Sequence, residues 1–414
     1  MPNVPKIAGR GLTRVIGSRA PSLGNLHWIL ATLAARIVPL TAMPILVNAV
    51  SPEHADWFSL VIADSSILAV FLGLSQSSAV QGLPDSRRAG DVAVTAFLVS
   101  LVIALLSLLL RPIGMISDDR WTASVSLAFC VSIMPLGQAL ARRLQLVGQV
   151  AVLEWLRLGT FLVAVIWLLA ADALTAPLMI GLLGAYYALP AIWWIGRDWR
   201  AWDVRPGWRD WKRLLPSMAI FTMSAGLNVA AWMLLRYRLE EWGQTGDVGV
   251  FSALQSVAAC MSVLADLAMF RLGHTIVRAA RGRDSWRVRV VGSRYLRLCL
   301  GAGLVSAAVS VTYAIVQFPQ ARGVALLTIL LLVLTNIVRC LYMFAQQVVL
   351  GLQRSGIDLL ASTVLFGCSA LAAGPLVQSA GIVGAAIGSV VLSAANLTVV
   401  FGAIVFYNRF GTRR

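Results

Sequence analysis

Apolar residues along this chain gather into long uninterrupted stretches, and polar residues fall in short breaks between them. Val92–Leu110, Trp121–Ala141, Ala173–Gly196, Leu214–Leu235 and Leu298–Ala321 contain no charged residue. Each matches the ~18–20 residues needed to cross a bilayer. Leu359–Asn408 is also free of charge. It is too long for one crossing and breaks naturally between Pro375 and Gly381. The pattern predicts twelve helices, over 27–50, 57–80, 92–110, 121–140, 150–171, 174–196, 214–236, 248–270, 290–316, 323–345, 356–377 and 381–405. Helices are required because no backbone polar group can go unpaired in lipid. The fold class is therefore an all-α polytopic membrane protein.

The breaks sort by charge. One set holds the N-terminal lead-in, Arg87 and Arg88, Arg142 and Arg143, the run Arg197–Arg213, the run Arg271–Arg289, Arg354, and the C-terminal Arg409, Arg413 and Arg414. The other holds only Arg111, Arg120, Arg236, Arg238 and Arg322, together with Glu53, Asp56, Asp118, Asp119, Asp172, Glu240, Glu241 and Asp247. The sets alternate along the chain, with two helices between successive basic breaks. The excess of arginine marks the cytoplasmic side, so both termini are expected in the cytoplasm.

The longest basic connection follows helix six and divides the chain into 1–205 and 206–414, six helices each. Trp199, Trp202, Trp208 and Trp211 among its arginines read as interfacial anchors. Six helices per half give parallel internal repeats about an axis normal to the membrane. A faint repeat agrees: Phe58-Ser59 in helix two matches Phe251-Ser252 in helix eight, each just after an acidic break.

Composition narrows the function. Of 414 residues, 59% are hydrophobic and 13% charged, with mean hydropathy +0.81; a soluble domain carries about 25% charged residues. The formal net charge of +16 would suggest nucleic acid in a soluble protein, but here the basic groups flank membrane segments and meet lipid headgroups. The five cysteines lie in apolar segments without a CxxC pair and read as small core residues. The first 25 residues lack an apolar core, so no cleavable signal is expected. No P-loop, HExxH, GxSxG or DxD occurs, and His27, His54 and His274 are too scattered for a metal site. Gly381, Gly384 and Gly388 suit close helix packing. The short loops leave no room for a catalytic domain, so an enzyme such as a polymerase or acyltransferase is disfavoured.

The informative residues are charges inside the predicted helices: Arg36, Asp64, Glu154, Arg157, Asp266 and Arg339. Each costs about 2.5–3.5 kcal/mol at the bilayer centre. Glu154 and Arg157 are one turn apart and can pair, and Asp266 lies near Arg271. Arg36 precedes Pro39 and Pro44, which free helix carbonyls. Arg339 lies beside Asn336, with Gln346 and Gln347 following, and Asn228 is a polar group in mid-helix. A cavity with arginines suits an anionic substrate, above all a pyrophosphate, because the guanidinium fork matches phosphate oxygens. Candidate substrate-binding residues are Arg36, Arg157, Arg339 and Asn228. Asp64, Glu154 and Asp266 are candidates for ion coupling or charge pairing.

Three stretches resemble the polysaccharide (O-antigen, Wzx-type) flippases of the multidrug/oligosaccharidyl-lipid/polysaccharide exporter superfamily: "ILVNAVSPEHADWFSLVIADSSILAVFLGLSQSSAV", "GDVGVFSALQSV", and "GLQRSGIDLLAST" leading into "AGIVGAAIGSVV". The resemblance implies two six-helix bundles in the bacterial inner membrane. By alternating access these would move undecaprenyl-pyrophosphate-linked oligosaccharide units, driven by an H+ or Na+ gradient and without a bound cofactor. Partners would be the lipid-linked oligosaccharide, polysaccharide polymerase and assembly proteins. A cation-coupled drug exporter is the alternative.

Overall fold

The computed structural model describes residues 37–73, 86–109, 120–143, 147–198, 208–282, 284–352 and 355–410. Nearly all of these are helical, and no strand occurs among them. The helices are α1 (Ile37–Ala49), α2 (Pro52–Gly73), α3 (Ser86–Leu109), α4 (Arg120–Arg143), α5 (Val147–Ala170) and α6 (Ala176–Asp198). They continue as α7 (Trp208–Trp242), α8 (Asp247–Ala258), α9 (Cys260–Arg281), α10 (Ser285–Gln317), α11 (Arg322–Gly351) and α12 (Ser355–Phe410). Seven helical stretches are long and apolar enough to cross a bilayer, and four shorter apolar helices accompany them. The outer surface is apolar: Leu371 is 81% exposed, and Leu304, Val163 and Trp167 are nearly as open. A contiguous exterior of this kind belongs in lipid.

Two helices depart from the sequence pattern, and a third follows it. The stretch predicted over 248–270 is two helices, because the α8 ladder ends at Ala259, whose N–H bonds back to Gln255, and α9 starts afresh from Cys260. α12 stays helical past Pro375, but Gly381 takes φ 54, a left-handed conformation that glycine adopts without Cβ strain. That breaks the helix where the sequence predicts. α7 extends well beyond 214–236 to Trp242, at 35 residues about 52 Å long. Arg236, read as a helix-end loop charge, is instead buried within it. Its guanidinium donates to Gln255 Oε1 (2.8 Å) and to the carbonyl of Ser59 (3.4 Å), so the helix does not need water there.

Helices α2 to α6 pack on one another, as do α7 to α12, and the groups meet where α2 and α3 touch α7 and α8. One core gathers Val38, Phe58, Leu127, Phe161, Met179 and Leu183; the other gathers Leu235, Phe251, Leu254, Ile329, Leu332 and Leu392. The seam is an exchange. Phe58 of α2 fills the first core while Leu60, two residues on, fills the second. Phe251 of α8 fills the second while Ala253 fills the first. Ser59 and Ser252, the residues between, hydrogen-bond to each other. The two Phe-Ser pairs noted in the sequence thus meet at the contact between the groups.

The seam is tightest at the end where Asp56, Glu240, Glu241 and Asp247 gather, here the acid-loop end. The opposite end, where Arg278, Arg281 and Arg287 gather, is the arginine-loop end. The first turn of α8 has no capping side chain of its own, since its N-cap is Gly246 with φ 98. Asp56 of α2 supplies the acceptor instead, at 2.6 Å from Gly246 N and 2.7 Å from Gly249 N. This is N-capping from a different helix group. A Cβ on Gly249 would stand 2.9 Å from the Cβ of Ala55, so glycine is needed for the approach. Gly249→Leu is expected to force α2 from α8 and cost about 1–3 kcal/mol, read as a lower thermal midpoint. Gly367→Leu, with open space around its Cβ position, is expected to leave the midpoint unchanged.

Candidate functional site

Four helices of the second group enclose a polar cavity of about 410 Å³. From α7 come Phe221, Ser224, Asn228 and Trp232; from α11, Arg339, Tyr342 and Gln346; from α12, Asp358, Ser393 and Asn396; from α9, Ser262. Asn228 and Arg339, predicted separately from sequence, therefore share one site. Arg339 lies about 18 Å along α11 from its arginine-loop end. It is exposed to the cavity and makes no ion pair or hydrogen bond among the described residues.

The carboxylate of Asp358 organises the opposite wall. It accepts from Ser224 Oγ at 3.0 Å, Tyr342 OH at 3.0 Å and Gln346 Nε2 at 3.1 Å. Ser224 also meets Ser362 Oγ at 3.0 Å. All three partners donate, the arrangement that suits an ionised carboxylate. By contrast Asn396 Oδ1 and Ser393 Oγ are buried without a hydrogen-bond partner among the described residues. A site with a cation, a carboxylate and vacant amide and hydroxyl groups can bind a charged, hydroxyl-bearing ligand by several hydrogen bonds at once.

Asp358 and Tyr342 are not among the residues predicted from sequence. The available signal was the position of Asp358 inside the predicted 356–377 span, where a carboxylate is as exceptional as the six intramembrane charges. Its closeness to Arg354 gives it the look of a loop charge. Nothing local in the sequence marks Ser224 or Asn396, whose role comes from facing α11.

The remaining candidates lie elsewhere. Arg157 and Glu154 form a buried ion pair inside the first group, 4% and 3% exposed. The guanidinium also stacks over the Tyr186 ring, 4.4 Å from its centre, and donates to the Tyr186 carbonyl at 3.4 Å. Arg157 is thus engaged on every side and does not line the polar cavity. Asp64 lies at the seam, accepting from Tyr237 OH of α7 at 2.5 Å and from Ser124 Oγ of α4 at 3.4 Å. Around it Arg120 pairs with Glu240 at 3.0 Å, a further bond between the groups. Arg36 lies outside the described residues, as does the side chain of Asp266.

No protein-family model and no curated protein matches the sequence. Solved structures do match. The lipid II flippase MurJ, in an inward closed conformation, superposes with TM-score 0.67 and 11% identity over 92% of this chain and 87% of that one. An inward-facing multidrug resistance MATE family transporter of the MOP superfamily gives 0.63 and 16%, over 92% and 96%. A Vibrio cholerae MATE transporter gives 0.61 and 15%, over 92% and 94%. The chain shares the fold of these three structures. Within that fold the cavity of Arg339 and Asp358 belongs to the second helix group, while the seam at Asp56 and Asp64 joins the two.

The Glu154–Arg157 pair yields a stability test. Glu154→Ala leaves a buried guanidinium without its partner and is expected to cost about 3–5 kcal/mol. Glu154→Ala/Arg157→Met removes both charges and is expected to recover most of that loss. A double variant as unstable as the single one, by thermal unfolding of the purified protein, would show that the pair is not the self-contained unit described.

Proposed function

We propose that the chain is a flippase that moves undecaprenyl-pyrophosphate-linked oligosaccharide units across the bacterial inner membrane by alternating access. The observation that carries this reading is Arg339, a guanidinium with no ion-pair partner among the described residues, open to a polar cavity within an apolar bundle. Inserting such a group costs about 2.5–3.5 kcal/mol at mid-bilayer, and its fork fits pyrophosphate oxygens. Asn228, Asn396 and the serines around it offer partners for sugar hydroxyls. The 410 Å³ volume suits the pyrophosphate and the first sugar rather than a whole repeat unit.

In this reading twelve helices cross the membrane, both ends are cytoplasmic, and 1–205 rocks against 206–414. The seam at Asp56 is the closed outer gate. Arg36 joins Arg339 in binding, Asp64, Asp266 and Asp358 are the carboxylates through which H+ or Na+ couples, and the product passes to polysaccharide polymerase and assembly proteins. A second reading, a cation-coupled drug exporter, draws support from Asp358 itself: a carboxylate with Phe221, Trp232 and Tyr342 beside it suits an organic cation.

Deleting the gene decides between the two. The flippase reading expects loss of surface polysaccharide with unchanged drug susceptibility; intact polymer with raised susceptibility favours the exporter. Arg339→Ala is expected to insert normally and to slow export roughly 10- to 100-fold, the loss of a charge-assisted contact. The gate has its own test. Asp56→Ala is expected to make a cysteine at Ser252 about tenfold faster to label with a membrane-impermeant maleimide, and no change would remove Asp56 from the gate.

A further inference from the structure

The elbow between α9 and α10 carries a second polar cavity, of about 290 Å³, unconnected with the site of Arg339 and lined by Thr275, Arg278, Ala279, Gly282, Asp284 and Arg287. We propose that it binds the phosphate of an anionic phospholipid headgroup in the leaflet at the arginine-loop end.

Three observations support this. First, the arginines are available. Asp284, the acid in the cavity, accepts from the backbone N–H of Arg287 at 2.9 Å and so caps α10. No ion pair engages Arg278 or Arg287 among the described residues. Two guanidinium groups and the Thr275 hydroxyl face one space, a donor set for phosphate oxygens.

Second, the elbow lies on the headgroup side of the hydrocarbon. α10 has 33 residues, of which about 20 suffice to cross the hydrocarbon. The charge-free run from Leu298 onward supplies the crossing, leaving the first turns, with Arg287, Arg289, Arg294 and Arg297, beyond it. Trp286, at the start of α10, is 70% exposed, and a bare indole among arginines marks the membrane interface.

Third, there is a path for the lipid's chains. Leu298 and Val305, on the same face of α10 as Arg287, are both exposed below the elbow. A phosphate held by Arg278 and Arg287 places acyl chains against that flank, which a soluble phosphate cannot use.

The test uses the full chain purified in neutral detergent, with phosphatidylglycerol or phosphatidylcholine added back and retained lipid counted by native mass spectrometry. Phosphatidylglycerol is expected to be retained in preference. Arg278→Gln/Arg287→Gln is expected to lower its apparent affinity about 30-fold, about fivefold for each arginine. Arg322→Gln, at the other end of α11, is expected to leave it as in the wild type. Equal retention by the elbow double variant overturns the proposal, as does equal retention of phosphatidylcholine. Competition by inorganic phosphate as effective as by the lipid reassigns the cavity to a soluble anion and likewise overturns it. Should the double variant not fold, the wild type in high salt decides: a preference for phosphatidylglycerol that survives screening is not the work of these arginines.

Discussion

The carboxylate of Asp56, set against the first turn of α8, is the contact on which the arrangement of the two helix groups depends. The opening N–H groups of any helix lack partners within it, and the start of α8 has only a glycine to offer them. The acceptor comes from α2. Neither element is complete without the other: without α2 the first turn of α8 loses the acceptor for two N–H groups, and without α8 the Asp56 carboxylate loses two donors. Asp56 is half-buried in the closed seam, where water reaches these groups only in part. The two groups are therefore held together at the acid-loop end, and separation there is tolerable only where water can reach the freed groups. The glycines at 246 and 249 matter for the same reason, because they let the backbones come close enough for the carboxylate to reach.

The charged residues within the helices fall into two kinds. Glu154 and Arg157 neutralise each other, Arg236 satisfies its donors on an amide and a carbonyl, and Asp64 is held by a tyrosine and a serine. These are closed local solutions that fix helix positions. Arg339 is different, because its guanidinium faces a cavity and no side chain among the described residues answers it. Asp358 is intermediate, held by three donors yet still on the cavity wall. In a medium where every polar group is costly, the group left without a protein partner is the one whose partner comes from outside.

The all-helical membrane class, the break near Gly381 and the Phe-Ser repeat were all legible in the sequence, since each rests on local composition or on conformational limits of single residues. The fate of each intramembrane charge was not. Glu154 and Arg157 are one turn apart, so their pairing can be anticipated. Arg236 meets a carbonyl 177 positions away, and no local pattern announces such a partner. For the same reason α7 reads as ending at its first charge and in fact continues to Trp242. The cavity was half legible: Arg339 and Asn228 stand out as polar residues in apolar runs, whereas Asp358 lies near a basic loop and Ser224 and Asn396 resemble ordinary small polar residues of membrane helices.

The repeat relation between α2 and α8 pairs Ser59 with Ser252, an offset of 193 positions. The same offset takes Asp56 to Gly249, which has no side chain. Capping thus runs one way: α2 closes the start of α8, and α8 returns nothing to α2. Beyond the shared Phe-Ser pair the two helices differ at most of the matched positions, and Asp56 against Gly249 is the difference that falls on the capping contact. The join between the two helix groups is thus lopsided: the donors to be satisfied sit on one side of it and the acceptor on the other.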